Sequence, residues 1–179
     1  CARHGIRVHG SLPDRDGSEG ICHAVMTERY ALPGEIVVGT DSHTTHVGAL
    51  GCLAFGIGAS DMASAWLTGE VRLTVPQTCR VVLRGRLAPG VAAKDLVLHL
   101  LRLPLVRAGH AVGQVIEYCG SAIAAMNTDE RATLTNMAAE IGGFTGIVAP
   151  DAETARFLRE RRGGEARCAP FWASDADAE

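Results

Sequence analysis

Short apolar runs alternate with polar, glycine-rich connections along the chain, and this alternation predicts interleaved strands and helices. Brief apolar runs bounded by glycine or proline are typical of buried strands, whereas longer amphipathic runs are typical of helices. The pattern predicts strands at 35–39, 79–87, 112–118 and 145–149, and helices at 20–30, 61–68, 93–102, 129–141 and 152–162. Such alternation favours an α/β fold with mostly parallel sheets.

The pattern of residues along the chain changes at Val75-Pro76, and this change predicts a boundary between two domains. Residues 1–76 include a stretch at 48–59 that is rich in glycine and other small residues, and we expect it to be a closely packed helical piece. Residues 77–165 form the second predicted domain. Residues 166–179 are a polar tail or the start of a next segment, and because no element closes them we expect the chain to be a fragment.

Composition excludes several classes of protein. Apolar residues make up 47% of the chain and charged residues 21%, which is typical of a globular protein rather than a disordered one. No apolar stretch is long enough to span a membrane, and no secretion signal is visible. The net charge of −3 argues against nucleic acid as a partner. We therefore expect a cytoplasmic protein.

The cysteines predict neither a disulfide scaffold nor a self-contained metal site. None of the six is spaced as Cys-x-x-Cys, so the clustered thiolates of a zinc knuckle or an iron–sulfur centre are absent. We expect most of them to be small buried residues in a reducing compartment.

The tripeptide Asp41-Ser42-His43 is the most informative polar segment, because it directly follows a predicted buried strand. In open α/β sheets, ligands bind beyond the carboxyl ends of the strands. Three consecutive hydrogen-bonding side chains at such a point suit a polar substrate. A simple turn is the alternative, since Asp and Ser side chains readily bond their own backbone.

Two further groups are candidates for chemistry. His23 lies in an otherwise apolar helix start; a nearby carboxylate such as Asp41 would fix its tautomer and give an acid–base unit, and otherwise it is a buried core histidine. Asn136 and Glu140 are four positions apart and share one face of the predicted helix. That face is either functional or merely solvated, and the opposite face carries Leu134, Ala138 and Ile141.

The spacing of residues excludes several common binding and catalytic motifs. Gly56-x-Gly58 lacks the third glycine of a dinucleotide-binding loop, since Asp61 stands in its place, and no phosphate-binding P-loop sequence occurs. Ser42 is not surrounded by the Gly-x-Ser-x-Gly elbow of a serine hydrolase. A metal site remains open; its ligands would be His23, Asp41, His43 and His46.

Several segments in a fixed order resemble motifs of the aconitase superfamily. The most specific is 33–44, which reads Pro-Gly-x-x-Val-Val-Gly-Thr-Asp-Ser-His-Thr, together with the small-residue segment 48–58. The other matching segments are 20–23, 93–95, 117–120, 131–142 and 150–151. Within the superfamily, the motifs are most similar to those of the large subunits of 3-isopropylmalate dehydratase and homoaconitase.

The resemblance implies parts of two aconitase-like α/β/α domains and a hydro-lyase acting on a hydroxy di- or tricarboxylic acid, such as 3-isopropylmalate or homocitrate. A [4Fe–4S] cluster would act as the Lewis acid. The resemblance also implies that two histidine–carboxylate pairs, His23 with Asp41 and His43 with Glu140, tune proton transfer. Ser42 would bind a substrate carboxylate, and the residue near the cluster would be Asn136.

The chain departs from the family pattern in several respects. The three cluster-binding cysteines, an upstream Asp-His pair, the substrate-gripping arginines and the serine base of a swivelling domain or small subunit are all missing, and Ala24 replaces a frequent glutamine. We therefore expect a central piece that is inactive alone. A binding or regulatory protein on the same scaffold, or a metal-dependent hydrolase, is the alternative.

Overall fold

A computed structural model describes residues 2–14 and 16–163 of the chain. After a short 3₁₀ helix at Ala2–His4, the first part of the chain contains helices α1 and α2, strands β1 and β2, and a longer 3₁₀ helix. In order, these are α1 (Cys22–Arg29), β1 (Ile36–Gly39), the 3₁₀ helix Ser42–Leu50, β2 (Leu53–Gly56) and α2 (Ala59–Thr68).

The second part of the described chain continues the alternation. Its elements are β3 (Thr78–Val82), α3 (Ala93–Arg102), α4 (Pro104–Arg107), β4 (Val115–Cys119), α5 (Ser121–Ala124), α6 (Thr128–Asn136), β5 (Thr145–Val148) and α7 (Ala152–Arg162). The predicted polar tail at 166–179 lies outside the described residues.

The strands form two parallel sheets. β1 pairs with β2, and β4 lies between β3 and β5 in a second sheet of three strands. Parallel neighbours require a crossover connection, which the helices and the 3₁₀ helix supply. The predicted α/β class with mostly parallel sheets is therefore confirmed.

The glycine-rich stretch at 48–59 differs from its prediction. The 3₁₀ helix Ser42–Leu50 ends at Gly51, whose φ of +78° is left-handed, and β2 then begins at Leu53. The prediction of a helical piece here was wrong because small apolar residues suit a buried strand as well as a closely packed helix, and a short run shows no period that separates the two.

Helix α6 is also shorter than predicted. It ends at Asn136 rather than at residue 141, and the N–H groups of Ala138, Glu140 and Ile141 bond to the third carbonyl back instead of the fourth. This tightening is a common way to finish a helix. Glu140 therefore lies in a turn and not on a helical face with Asn136, whereas the apolar side is buried as predicted, with Leu134, Ala138 and Ile141.

Other boundaries moved by a few residues. The strand predicted at 79–87 ends at Val82, and the one predicted at 112–118 starts at Val115. The cap of α6 is Asn127, which forms a capping box with Glu130. The predicted helix at 93–102 is confirmed.

Two hydrophobic cores underlie the sheets, and α7 contributes to that of the two-stranded sheet. The core of the three-stranded sheet includes Ile116, Tyr118 and Leu134. The core of the two-stranded sheet contains residues from α1 to β2, but also Phe157 and Leu158 of α7. The last described helix thus packs on the first sheet, and the domain division at residue 76 stays a prediction.

Arg162, the last residue of α7, bonds the end of α1. Its guanidinium donates to the backbone oxygens of Thr27, Glu28, Tyr30 and Ala31 at 2.6–3.4 Å. The last four carbonyls of a helix have no partner within the helix. Arg162 supplies such partners at the C-terminal end of the helix that carries His23.

The two halves of the chain touch through a backbone contact between glycines. A Cβ on Gly48 would lie 1.8 Å from the carbonyl oxygen of Gly146, and a Cβ on Gly146 would lie 2.8 Å from the Cα of Thr135. Hydrogen bonds flank the contact: Thr135 Oγ1 donates to the His46 carbonyl, and Thr45 Oγ1 to the Asn136 carbonyl. The 3₁₀ helix is thereby pressed against α6 and β5.

An ion pair between a buried arginine and a half-exposed aspartate joins α6 to the start of α7. The fully buried guanidinium of Arg131 donates two hydrogen bonds, of 2.7 and 2.8 Å, to the carboxylate of Asp151. That carboxylate also caps α7 by accepting from the backbone of Glu153 and Thr154. Burial alone would raise the pKa of Asp151, but these hydrogen bonds and the charge of Arg131 outweigh it and hold the pKa below its ordinary value.

The described helices include none that is long and apolar enough to cross a membrane. Of the cysteines, Cys52 is buried as predicted, Cys79 and Cys119 are half-buried, and Cys22 is exposed, contrary to the expectation for most of them. Cys1 and Cys168 lie outside the described residues.

Replacing Gly48 with alanine is expected to lower the free energy of unfolding by about 3 kcal/mol, because the backbone of Gly146 cannot yield to the added methyl group. Gly10→Ala is the matched control, since a Cβ there meets nothing within 4 Å. Urea denaturation followed by circular dichroism compares the two. Equal midpoints for both variants would contradict a close approach at Gly48.

Asp151→Asn is expected to cost about 3 kcal/mol of stability, because Asn can still cap α7 but leaves the charge of Arg131 buried without a counter-ion. Glu160→Gln, which removes an exposed partner of Arg156, should cost less than about 1 kcal/mol. The folded pKa of Asp151 is lowered, so its stabilisation is present above the unfolded pKa and is lost as the pH falls through the folded pKa. The difference between wild type and variant should therefore shrink in acid, and a difference that grows below pH 4 would argue against this account.

Candidate active site

The Asp41-Ser42-His43 segment lies beyond the carboxyl end of β1, as the sequence predicts. Asp41 is extended and caps the 3₁₀ helix, with the backbone N–H of His43 donating to its Oδ1 at 2.7 Å. Gly56 at the end of β2 lies against this segment, since a Cβ there would be 2.7 Å from the Asp41 carbonyl oxygen. The ends of both strands therefore fix where the polar segment stands.

His23 and Asp41 form the first of two histidine–carboxylate pairs. His23 Nε2 lies 3.2 Å from Asp41 Oδ1, and the histidine side chain is 15% exposed while the aspartate is 55% exposed. The hydrogen bond from the His43 backbone, aided by the charges of His23 and His43, lowers the pKa of Asp41 despite the opposing effect of burial. Asp41 is therefore an anion at neutral pH, and His23 has a fixed acceptor.

His43 and Glu140 form the second pair, across the contact between the two halves of the chain. His43 Nε2 lies 3.3 Å from Glu140 Oε1, although 97 positions separate the residues in the sequence. The other ring nitrogen, Nδ1, is 3.1 Å from Ser42 Oγ and 3.7 Å from Asp41 Oδ1. Both nitrogens of this imidazole thus face groups that can hold or exchange a proton.

The two pairs lie side by side on one face, which is the candidate cleft. The rings of His23 and His43 are 6.5 Å apart, and Asp41 contacts both of them. About half of the side-chain surface of Glu140 is exposed, as is that of Asp41, so the carboxylates are open to solvent on this face. The structure brings together His23, Asp41, Ser42, His43 and Glu140, the five polar residues that the sequence singled out beside Asn136.

Asn136 contacts the cleft through His46, which the sequence had indicated only as a possible metal ligand. Its amide nitrogen lies 3.5 Å from Nδ1 of His46, and the His46 ring is 6.0 Å from that of His23. His43 and His46 are three positions apart, so a 3₁₀ helix places them on the same side. That spacing is the signal that could have identified His46, had a 3₁₀ helix been expected.

The described cysteines do not fit an iron–sulfur cluster. Burial raises the pKa of Cys52 to about 12, and its thiol donates to the Leu32 carbonyl, so it is held in its neutral form. Cys79 and Cys119 lie on β3 and β4, whereas the exposed Cys22 lies on α1. Within the described ranges, no three His, Cys, Asp or Glu side chains are arranged to hold a metal ion.

Comparison with known proteins places this chain in a family. A model of the aconitase family (aconitate hydratase) matches residues 1–177. The probable 3-isopropylmalate dehydratase large subunit of Methanothermobacter thermautotrophicus is 46% identical over 149 residues, which are 83% of this chain and 35% of that protein.

Two other relatives carry the same description. The 3-isopropylmalate dehydratase large subunit 1 of Methanopyrus kandleri is 43% identical over 153 residues, or 85% of this chain and 36% of the relative. The large subunit from Aquifex aeolicus is 38% identical over 178 residues, or 99% of this chain and 40% of the relative. The chain thus spans 35–40% of the length of these three relatives. On the family match over nearly its whole length, the chain belongs to the aconitase family.

Proposed function

We propose that this chain is the part of an aconitase-type hydro-lyase that supplies two histidine–carboxylate pairs to the active site. The substrate class is a hydroxy di- or tricarboxylic acid, with 3-isopropylmalate favoured by the names of the relatives. The observation that carries the proposal is the contact of His43 with Glu140, because it joins two distant segments at the cleft that already holds His23 and Asp41.

Dehydration of a hydroxy acid requires a proton for the departing hydroxyl and an acceptor for the proton lost from the neighbouring carbon. General acids and bases placed within hydrogen-bonding distance contribute about 10²- to 10⁴-fold to such steps. An imidazole between two acceptors can hold a proton on one nitrogen and release it from the other. His43, with Glu140 on one side and Ser42 on the other, is built to do this.

His23 and Ser42 have the other two roles, in proton transfer and in substrate binding. His23, held by the anionic Asp41, is the second candidate for moving a proton. Ser42 is 3.1 Å from His43, and its hydroxyl is a donor for a substrate carboxylate in the same cleft. Hydrogen bonds to charged groups are among the stronger ones. Asn136, next to His46, stands on the side of the cleft where we place the cofactor.

A [4Fe–4S] cluster of the kind used in the aconitase family would supply a Lewis acid that binds the substrate hydroxyl. The described residues do not provide its ligands, so we place them in the portion of the relatives that this chain does not cover. The relatives' description as large subunits implies a small subunit in those proteins. We propose a corresponding partner, or a fused swivelling domain, for the protein that contains this chain.

The experiment that tests the function uses the intact protein that contains this chain, purified anaerobically with its partner. Iron and sulfide are assayed, and 3-isopropylmalate, homocitrate and citrate are then offered while the absorbance of an unsaturated product is followed. Turnover of at least one of them supports the proposal. Loading with a cluster but no turnover of any would favour the alternative of a binding or regulatory protein on this scaffold.

His43→Gln and Glu140→Gln, each in the intact protein, are expected to lower kcat by about 100-fold or more, since both remove a group that holds the transferred proton. Because the two residues act as a unit, the double variant should be scarcely slower than the worse single variant.

The matched control for this pair is His99→Gln on the exposed face of α3, which should leave kcat unchanged. Steady-state kinetics at saturating substrate give kcat for the wild type, the two single variants and the double variant. Multiplicative losses in the double variant would mean that His43 and Glu140 work separately, and near-normal rates would remove both from the mechanism.

A further inference from the structure

His46 is the one imidazole in the cleft that forms no ion pair with a carboxylate among the residues that the structure describes. It lies on the same side of the 3₁₀ helix as His43, and its ring is tilted by 31° to that of His23 at 6.0 Å. Its backbone carbonyl accepts from Thr135 Oγ1 at 2.9 Å, so the 3₁₀ helix is tied to α6 at this residue.

The contact with Asn136 determines which ring nitrogen of His46 carries the proton. An amide nitrogen can only donate, so Asn136 Nδ2 at 3.5 Å requires Nδ1 of His46 to accept. The proton of the neutral ring is then on Nε2. This nitrogen makes no side-chain hydrogen bond to the part of the chain that the structure describes, which leaves an N–H donor available.

The charge state of His46 is set by its surroundings. Burial and the charge of His23 on α1 lower the pKa of His46 to about 4, although the charge of Asp129 on α6 acts in the opposite direction. His43 is the other titratable group on the same side of the 3₁₀ helix. His46 is therefore neutral over the range in which an ordinary histidine gains a proton, and its Nε2–H is a donor that does not change with pH near neutrality.

We propose that His46 is a substrate-binding residue, whose Nε2–H donates to a carboxylate oxygen of the hydroxy acid beside the His23–Asp41 pair. This inference rests on the proposed function and adds a subsite to it. A cleft with the carboxylates of Asp41 and Glu140 needs donors to hold a polyanionic substrate, and Ser42 alone supplies one hydroxyl. A neutral imidazole adds a directed donor without adding a further charge next to the acid–base pairs.

The test compares His46→Leu with His46→Gln in the intact protein. Leu fills similar space without a donor, whereas the amide of Gln places an N–H near the position of Nε2. Loss of a hydrogen bond to a carboxylate raises KM by about tenfold or more. We expect His46→Leu to show that rise with kcat changed by less than about threefold, and His46→Gln to recover most of the loss. His110→Gln, at an exposed position after α4, is the control.

A second measurement does not depend on turnover. In the chain labelled with ¹⁵N-histidine, the nitrogen shifts of His46 should report a neutral ring with the proton on Nε2 from pH 8 down to about pH 5, whereas a histidine with an ordinary pKa would be mostly protonated at that end. A ring protonated on Nδ1, or one that is charged at pH 6, would overturn the assignment.

Kinetic outcomes separate this inference from the function beneath it. Equal impairment of the Leu and Gln variants, or a loss confined to kcat, would show that His46 only supports the fold, and the inference would fail while the hydro-lyase stands. If the wild-type protein turned over no hydroxy acid, the proposed function would fail, and the substrate role of His46 with it, even with the expected tautomer.

Discussion

The close approach of the Gly48 and Gly146 backbones is the constraint on which the site depends. It allows the 3₁₀ helix Ser42–Leu50 to lie directly on α6 and β5, with no side chain between the backbones at the point of contact. The residues that flank Gly48 then meet their partners from the other half of the chain. The His43–Glu140 contact exists because a helix and a strand meet at van der Waals distance a few residues away.

A second set of contacts, local to β1 and β2, keeps the polar groups of the cleft in place. Asp41 is held by the end of β1, by its capping bond to the His43 backbone and by Gly56 of β2. An anchored carboxylate orients an imidazole better than one on a free side chain, since the entropy of positioning is already spent in folding. The pKa of Asp41 falls and that of His46 falls as well, the first because hydrogen bonds favour its anion and the second because burial disfavours its cation.

Much of this molecule could be predicted from the sequence, and the failures share a cause. The α/β alternation, the cap at Asp151 and the polar segment after β1 follow from local patterns, and the His–carboxylate pairs followed from the family resemblance. The 3₁₀ helix, β2 and the early end of α6 did not, because each is decided by contacts with segments far away in the chain. Glu140 reaches His43 from a turn, and local helix periodicity does not describe that geometry. The contact of His46 with Asn136 could not be predicted for the same reason, since the two residues are 90 positions apart in the sequence.

Arg162 has a consequence for the order in which the molecule can assemble during synthesis. The end of α1 is held by the guanidinium of a residue that the ribosome adds more than 130 positions later. Until α7 has left the exit tunnel, the helix with His23 lacks both these hydrogen bonds and the cover of Phe157 and Leu158. Helix α1, the first helix of the cleft to be synthesised, is thus among the last to gain its stabilising contacts. A nascent chain stalled before residue 162 would leave the surface that α7 covers accessible to chaperones.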